Sequence, residues 1–187
     1  MKLENKVILF LGSSVTYGSA AGGVSFVDII QDKLKCICIK EAVSGTTLAD
    51  INKSSYVSRL NSIDKNTHID LFVCQLSTND ATKNVEFSKV AEAIRYILDY
   101  VKKVFNCPIV FYTGTKFKCE KYGQMIDLLY ALKHEYAFEI LDLFNDTEMS
   151  QVSQSDYQLY MRDPIHPTLL GYTEWWTPKF IDFIERL

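Results

Sequence analysis

The sequence predicts a single three-layer α/β/α domain on a five-stranded parallel sheet, and three observations predict it. Short β-rich runs alternate with longer stretches of helical period along the whole chain. The β-rich runs are nearly continuous in apolar residues, the pattern of strands covered on both faces. No Pro/Gly/Ser linker, internal repeat or low-complexity tract interrupts residues 1–187, so one domain is expected to span them. A chain of 187 residues buries about 70% of its unfolded surface on folding, enough for one core without disulfide or metal staples.

The first strand is Val7 to Leu11, stopped by Gly12. A helical pattern covers about Phe26 to Leu34, and Cys36 to Ile39 begins a second strand that extends to about Val43. Tyr56 to Ile63 reads as a helix and Leu71 to Leu76 as the third strand. The strongest period runs from Phe87 through Val90, Ala91, Ile94, Leu98 and Val101 to Phe105, keeping one apolar stripe over five turns. Ile109 to Tyr112, opened by Pro108 and closed by Gly114, is the fourth strand. Tyr122 to His134 forms the next helix and Phe138 to Leu143 the fifth strand. The last helix runs from Thr168 to the C-terminus, and Pro178 is expected to kink or restart it, because proline removes a backbone donor and crowds the preceding turn.

Composition narrows the function classes. The 20 basic and 23 acidic residues leave a net charge of −3, and the densest basic run, Lys116 to Lys121, is short. Nucleic acid needs a clustered basic face and is excluded as a partner. The longest apolar run near the N-terminus, Val7 to Leu11, is too short for a signal-peptide core or a membrane span, so no stable membrane insertion and a cytoplasmic location are expected. Five cysteines, Cys36, Cys38, Cys74, Cys107 and Cys119, form no C-x-x-C pair and read as small hydrophobes in a reducing compartment. The three histidines are far apart and give no zinc spacing, so no metal site is expected.

In open parallel sheets ligands bind beyond the carboxyl ends of the strands, where strand order reverses. Chemistry-bearing segments follow the strands here: Gly12-Ser13-Ser14-Val15-Thr16-Tyr17-Gly18 the first, Val43-Ser44-Gly45-Thr46-Thr47 the second, and Ser77-Thr78-Asn79-Asp80 the third. Asp163-Pro164-Ile165-His166-Pro167 comes after the fifth, just before the final helix.

These four segments together resemble the SGNH/GDSL hydrolases, a family with a G-D-S block near the N-terminus, a lone glycine, G-x-N-D, and D-x-x-H near the C-terminus. The resemblance spans about residues 5 to 180. It implies a flavodoxin-like fold and a serine esterase or acylhydrolase activity with no metal or organic cofactor. Ser14 would be the nucleophile, Asp163 and His166 would complete a triad, and Gly45 and Asn79 would join the Ser14 N–H as oxyanion donors. A D-x-x-H spacing arises by chance about 0.2 times in this composition, so the weight lies in the order and placement of all four blocks. Ser13 stands where the family has aspartate, and Ser77 where it has the glycine of G-x-N-D.

Each role has a physical basis. A serine hydroxyl attacks at neutral pH only if a base takes its proton, and His166 is the histidine in a loop suited to that. Asp163, three residues earlier, can hold the imidazole tautomer. Gly45, without a Cβ, lets substrate approach the backbone, and at Ser77 a Cβ is costly if the site requires a positive φ.

Other readings stand beside these. Ser14 in a strand-to-helix turn could belong to a phosphate-binding loop, although no G-x-x-x-x-G-K-[ST] or G-x-G-x-x-G is present. Asp80 reads as a cap of a turn or of the next helix. Thr16 and Tyr17 are candidate substrate contacts or only shape their loop. Trp175 and Trp176 read mainly as core, one of them a candidate for an acyl or sugar pocket. The expected activity is cleavage of a carboxylic ester on a small or carbohydrate- or lipid-linked acyl substrate. The alternatives are a non-catalytic ligand-binding module of the same fold, or an acyltransferase using the same triad. Five strands and their helices use nearly the whole chain, which predicts an open, shallow cleft over Ser14.

Overall fold

The computed structural model describes residues 3–187. In chain order the elements are β1 (Val7–Gly12), α1 (Ser14–Tyr17), a 3₁₀ turn (Ser19–Ala21), α2 (Phe26–Leu34), β2 (Ile37–Ala42), α3 (Tyr56–Ser62), β3 (Leu71–Gln75), α4 (Thr78–Thr82) and α5 (Phe87–Val104). They continue with β4 (Ile109–Tyr112), α6 (Glu120–Leu132), β5 (Glu139–Leu141), α7 (Thr147–Ser150), α8 (Gln154–Tyr160), α9 (Leu169–Gly171), a π-helical turn (Tyr172–Trp176) and α10 (Thr177–Glu185). The five strands are all parallel, in the order β2-β1-β3-β4-β5. This is the flavodoxin-like order, and it reverses between β1 and β3.

Alternation along the strands sends side chains to two cores. Leu9, Leu11, Phe72, Cys74 and Phe111 pack with Tyr56 and Leu60 of α3, Ile94 and Ile97 of α5, and Met125 and Leu129 of α6. On the other face Ile8, Phe10, Val73, Val110 and Tyr112 pack with Phe26 and Ile30 of α2 and with Trp176, Phe180 and Ile184 at the C-terminus. In α2, Ser25 Oγ accepts from the Val27 N–H while Asp28 accepts from the Ser25 N–H at 2.7 Å, a reciprocal cap that sets where the helix begins. No helix among the described residues is long and apolar enough to cross a membrane.

Two expectations are corrected. β2 is not covered on both faces: it pairs only with β1 at the sheet edge, and Ile37 is 54% exposed. β5 stops at Leu141 rather than Leu143, because Asp142 Oδ1 accepts from Thr113 Oγ1 and the Asn145 N–H and turns the chain. The C-terminal segment restarts at Pro178, one of the two outcomes expected of that proline. It passes through the π-helical turn before Pro178, which sits in the first turn of α10, where its missing N–H is tolerated.

Candidate active site

The site forms at the C-terminal ends of β1 and β3, on either side of the point where strand order reverses. β1 ends at Gly12, and a Cβ there would stand 1.7 Å from Thr16 Oγ1, so the turn into α1 closes only on glycine. Ser14 opens α1 and is 8% exposed. Beneath it, Gln75 Oε1 accepts from the Ser13 N–H at 2.9 Å, the Ser13 hydroxyl at 3.3 Å and the Thr16 hydroxyl at 2.9 Å. Thr16 spends its hydrogen on Gln75, so the Tyr112 hydroxyl is the donor in their 2.6 Å contact. Ser13, in place of the family's aspartate, is thereby held by Gln75. Thr16 is fully buried and its hydroxyl is committed, which removes it as a substrate contact; Tyr17 is 44% exposed, with Lys40 Nζ 5.8 Å from the centre of its ring.

Ser14 and His166 lie 152 positions apart in sequence, yet Ser14 Oγ is 2.8 Å from His166 Nε2. His166 Nδ1 lies 2.8 Å from Asp163 Oδ2 and 3.0 Å from Oδ1. Asp163 Oδ1 also accepts from the backbone N–H groups of Ile165 at 2.8 Å and His166 at 2.9 Å. Burial pushes the Asp163 carboxyl up, but these hydrogen bonds and the imidazole outweigh it and hold the group below the ordinary carboxylate range. An ionised carboxylate only accepts, so Nδ1 carries the hydrogen and Nε2 is left to accept from Ser14. The loop is closed at its base by an antiparallel bridge between Met161 and Pro167 and by the Arg162 N–H donating to the His166 carbonyl at 2.9 Å.

Gly45 has φ +77°, a left-handed backbone that disfavours any side chain, and the space where a Cβ would stand is open. Asn79, in α4, donates from Nδ2 to the Thr46 carbonyl at 2.9 Å. A carbonyl partner fixes which end of the amide is nitrogen and leaves its second N–H unengaged among the described residues. Ser77 has φ −72°, ordinary extended backbone, so its Cβ carries no conformational cost. Asp80 does not cap. Fully buried, its carboxylate accepts from the Leu48 N–H at 2.7 Å and the Ala49 N–H at 2.9 Å, pinning the segment after Gly45. Burial raises the Asp80 pKa, against the pull of those hydrogen bonds. Lys83 Nζ donates to the Gly45 carbonyl at 2.6 Å.

Gln75 and Arg59 were not singled out from the sequence, although each carries a signal: Gln75 is a polar residue inside an apolar strand, and Arg59 sits on the stripe of Tyr56, Leu60 and Ile63. Of the tryptophans, Trp176 is fully buried, while Trp175 lines a cavity of about 300 Å³ with Thr115, Phe144, Met149 and Tyr157. Burial, with the Asp163 charge, raises the phenol pKa of Tyr157.

A family model described as GDSL-like Lipase/Acylhydrolase matches residues 10–173. The chain belongs to this family. Solved structures share the fold of this GDSL-like domain over nearly its whole length. A protein from Lactobacillus plantarum is 16% identical with a TM-score of 0.81, covering 98% of each chain. A member of the lipolytic protein G-D-S-L family from Veillonella parvula is 14% identical with a TM-score of 0.76, covering 97% of this chain and 99% of that one. Axe2, an acetylxylan esterase from Geobacillus stearothermophilus, is 15% identical with a TM-score of 0.75, covering 98% and 96%. No curated protein matches the sequence.

Proposed function

We propose that this GDSL-like domain is a serine esterase that cleaves carboxylic esters through an acyl-enzyme. The observation that carries the reading is the continuous chain of hydrogen bonds from Ser14 Oγ to His166 Nε2 and from His166 Nδ1 to the Asp163 carboxylate. Ser14 Oγ attacks the ester carbonyl as His166 Nε2 takes its proton, and Asp163 stabilises the imidazolium. The negative charge on the former carbonyl oxygen falls to the N–H groups of Ser14 and Gly45 and the Asn79 amide. Collapse of the intermediate expels the alcohol, which takes the proton from His166. Water, deprotonated by the same nitrogen, then releases the acid and restores Ser14.

The substrate is a small-molecule ester, with an acyl group that is small or attached to a carbohydrate or lipid. The cavity with Trp175 and Tyr157 in its wall offers aromatic surface for one end of it. The likeness to an acetylxylan esterase adds acetylated sugars to the esters to be tried.

The test is hydrolysis of p-nitrophenyl acetate by the wild type and by Ser14→Ala, together with fluorophosphonate labelling read by peptide mass. The expected outcome is a loss of at least about 10³-fold in Ser14→Ala and a label on Ser14. Equal rates, or a label elsewhere, overturn the reading.

A further inference from the structure

Arg59 of α3 is 8% exposed, and all five of its N–H groups have partners. Nε donates to the Ser54 carbonyl at 3.0 Å. Nη1 donates to the Glu41 carbonyl at 2.9 Å and to Glu41 Oε1 at 3.1 Å. Nη2 donates to the Gly12 carbonyl at 2.8 Å and to Thr46 Oγ1 at 3.2 Å. The guanidinium carbon lies 5.2 Å from the centre of the Tyr56 ring, which covers the cation.

Burying a guanidinium is costly, and an apolar side chain at this point of the α3 stripe would fill the space without that cost. What an apolar residue cannot supply is the bridge. Gly12 lies two positions before Ser14, and Thr46 directly follows Gly45. Thr46 is a junction: its hydroxyl donates to the Val43 carbonyl at 2.6 Å and accepts from Arg59, while its carbonyl accepts from Asn79. One Arg59 nitrogen therefore joins the turn that carries the nucleophile to the loop that carries the Gly45 donor and accepts from the Asn79 amide.

We propose that Arg59 is a positioning residue for the reaction: it sets the separation of the Ser14 turn from the Gly45 and Asn79 donors. The inference rests on the esterase reading above. Lysine does not substitute, because a point ammonium with three donors cannot serve five acceptors.

The test compares wild type, Arg59→Lys and Thr46→Val by amide hydrogen exchange and by p-nitrophenyl acetate kinetics. Thr46→Val keeps the buried arginine and removes its loop-side acceptor, together with the hydroxyl's own bond to the Val43 carbonyl, so it serves if Arg59→Lys fails to fold. Exchange at Ser13 to Val15 and at Gly45 to Thr47 is expected to rise about tenfold in each variant. In Arg59→Lys, kcat is expected to fall about 10- to 100-fold with KM within about twofold. The pH dependence of kcat should not move, because neither substitution touches His166 or Asp163. In an Asn79→Ala background the same substitution should cost less, since the donor it positions is gone; a purely structural role gives additive losses. Unchanged exchange overturns the tie, and unchanged kcat with raised exchange overturns the positioning role. A wild type that cleaves no ester while exchange rises in the variants overturns the esterase reading and leaves the tie between the loops standing.

Discussion

The Tyr172 hydroxyl donates to the Val15 carbonyl at 2.7 Å, joining the π-helical turn to the short helix that begins with Ser14. Tyr172 follows His166 by six positions, so this buried bond fixes the histidine's segment against the serine's. Tyr172→Phe keeps the ring and leaves the Val15 carbonyl without its partner. The expected cost is about 1–2 kcal/mol of stability, read as a Tm lowered by about 2–8 °C. The ester hydrolysis rate should fall as well, by up to about tenfold, as the Ser14 to His166 distance loosens. A variant with the Tm of the wild type would show that the bond carries no net stability.

Asp163→Asn offers a carbonyl to the Nδ1 hydrogen only in one amide orientation, and it removes the charge that stabilises the imidazolium. The expected loss in kcat at neutral pH is about 10²- to 10⁴-fold. Stability follows a definite sign. The folded-state pKa of Asp163 is lowered by its hydrogen bonds against the effect of burial, so its ionisation stabilises the fold above the unfolded value of about 3.9. That contribution disappears as pH falls through the lowered folded value. Because the side chain is 47% exposed, it amounts to less than about 1 kcal/mol. Denaturant titrations of wild type and variant at neutral pH and near pH 3 should show the gap closing on acidification.

Asp80 has the opposite sign. Burial raises its folded-state pKa, so the folded state binds the proton more tightly than the unfolded chain does. Between the unfolded value of about 3.9 and the raised folded value, stability falls as pH rises, and above that it levels off. Asp80→Asn lacks this slope, so wild-type stability minus variant stability should decrease across that window. At neutral pH the variant is still expected to be less stable by about 1–3 kcal/mol, because an amide cannot accept from both Leu48 and Ala49 without turning its NH₂ group toward one of their N–H groups. Urea midpoints measured in steps from pH 3 to pH 7 check both statements.

Asp80 also shows where local sequence stops being informative. After Ser77-Thr78-Asn79 an aspartate reads as a cap, and nothing nearby indicates that its partners lie more than thirty positions back, at Leu48 and Ala49. Arg59 and Gln75 are the same case, since most of their partners lie in segments distant along the chain. By contrast, Ser14, Gly45, Asn79, Asp163 and His166 could be picked out as candidates because the four segments that hold them come in a fixed order along the chain, three of them after apolar strands. The strands and the long helix α5 were legible from apolar runs and period. Helix α8 was not, because it buries no residue and has no apolar stripe. It is started by Ser153, whose Oγ accepts from the Asp156 N–H at 3.1 Å, a signal of identity rather than of period.

Gly45→Ala is the substitution that separates backbone conformation from packing. Nothing stands within 4 Å of the position a Cβ would take, so the added methyl meets no neighbour. The φ of +77° remains, and an alanine there costs about 1–2 kcal/mol. The loop is held on the C-terminal side of the strained residue, by Lys83 on the Gly45 carbonyl and by Asn79 and Arg59 on Thr46. Relief of the strain would therefore fall on the N-terminal side and turn the Gly45 N–H, the oxyanion donor proposed above. Loss of one such donor costs about 10²- to 10³-fold in turnover. The variant should keep its fold by circular dichroism, lose about that factor in kcat, and keep KM for p-nitrophenyl acetate near the wild-type value. A raised KM with unchanged kcat would instead mean that the methyl blocks entry of the substrate and that the Gly45 N–H plays no part in the transition state.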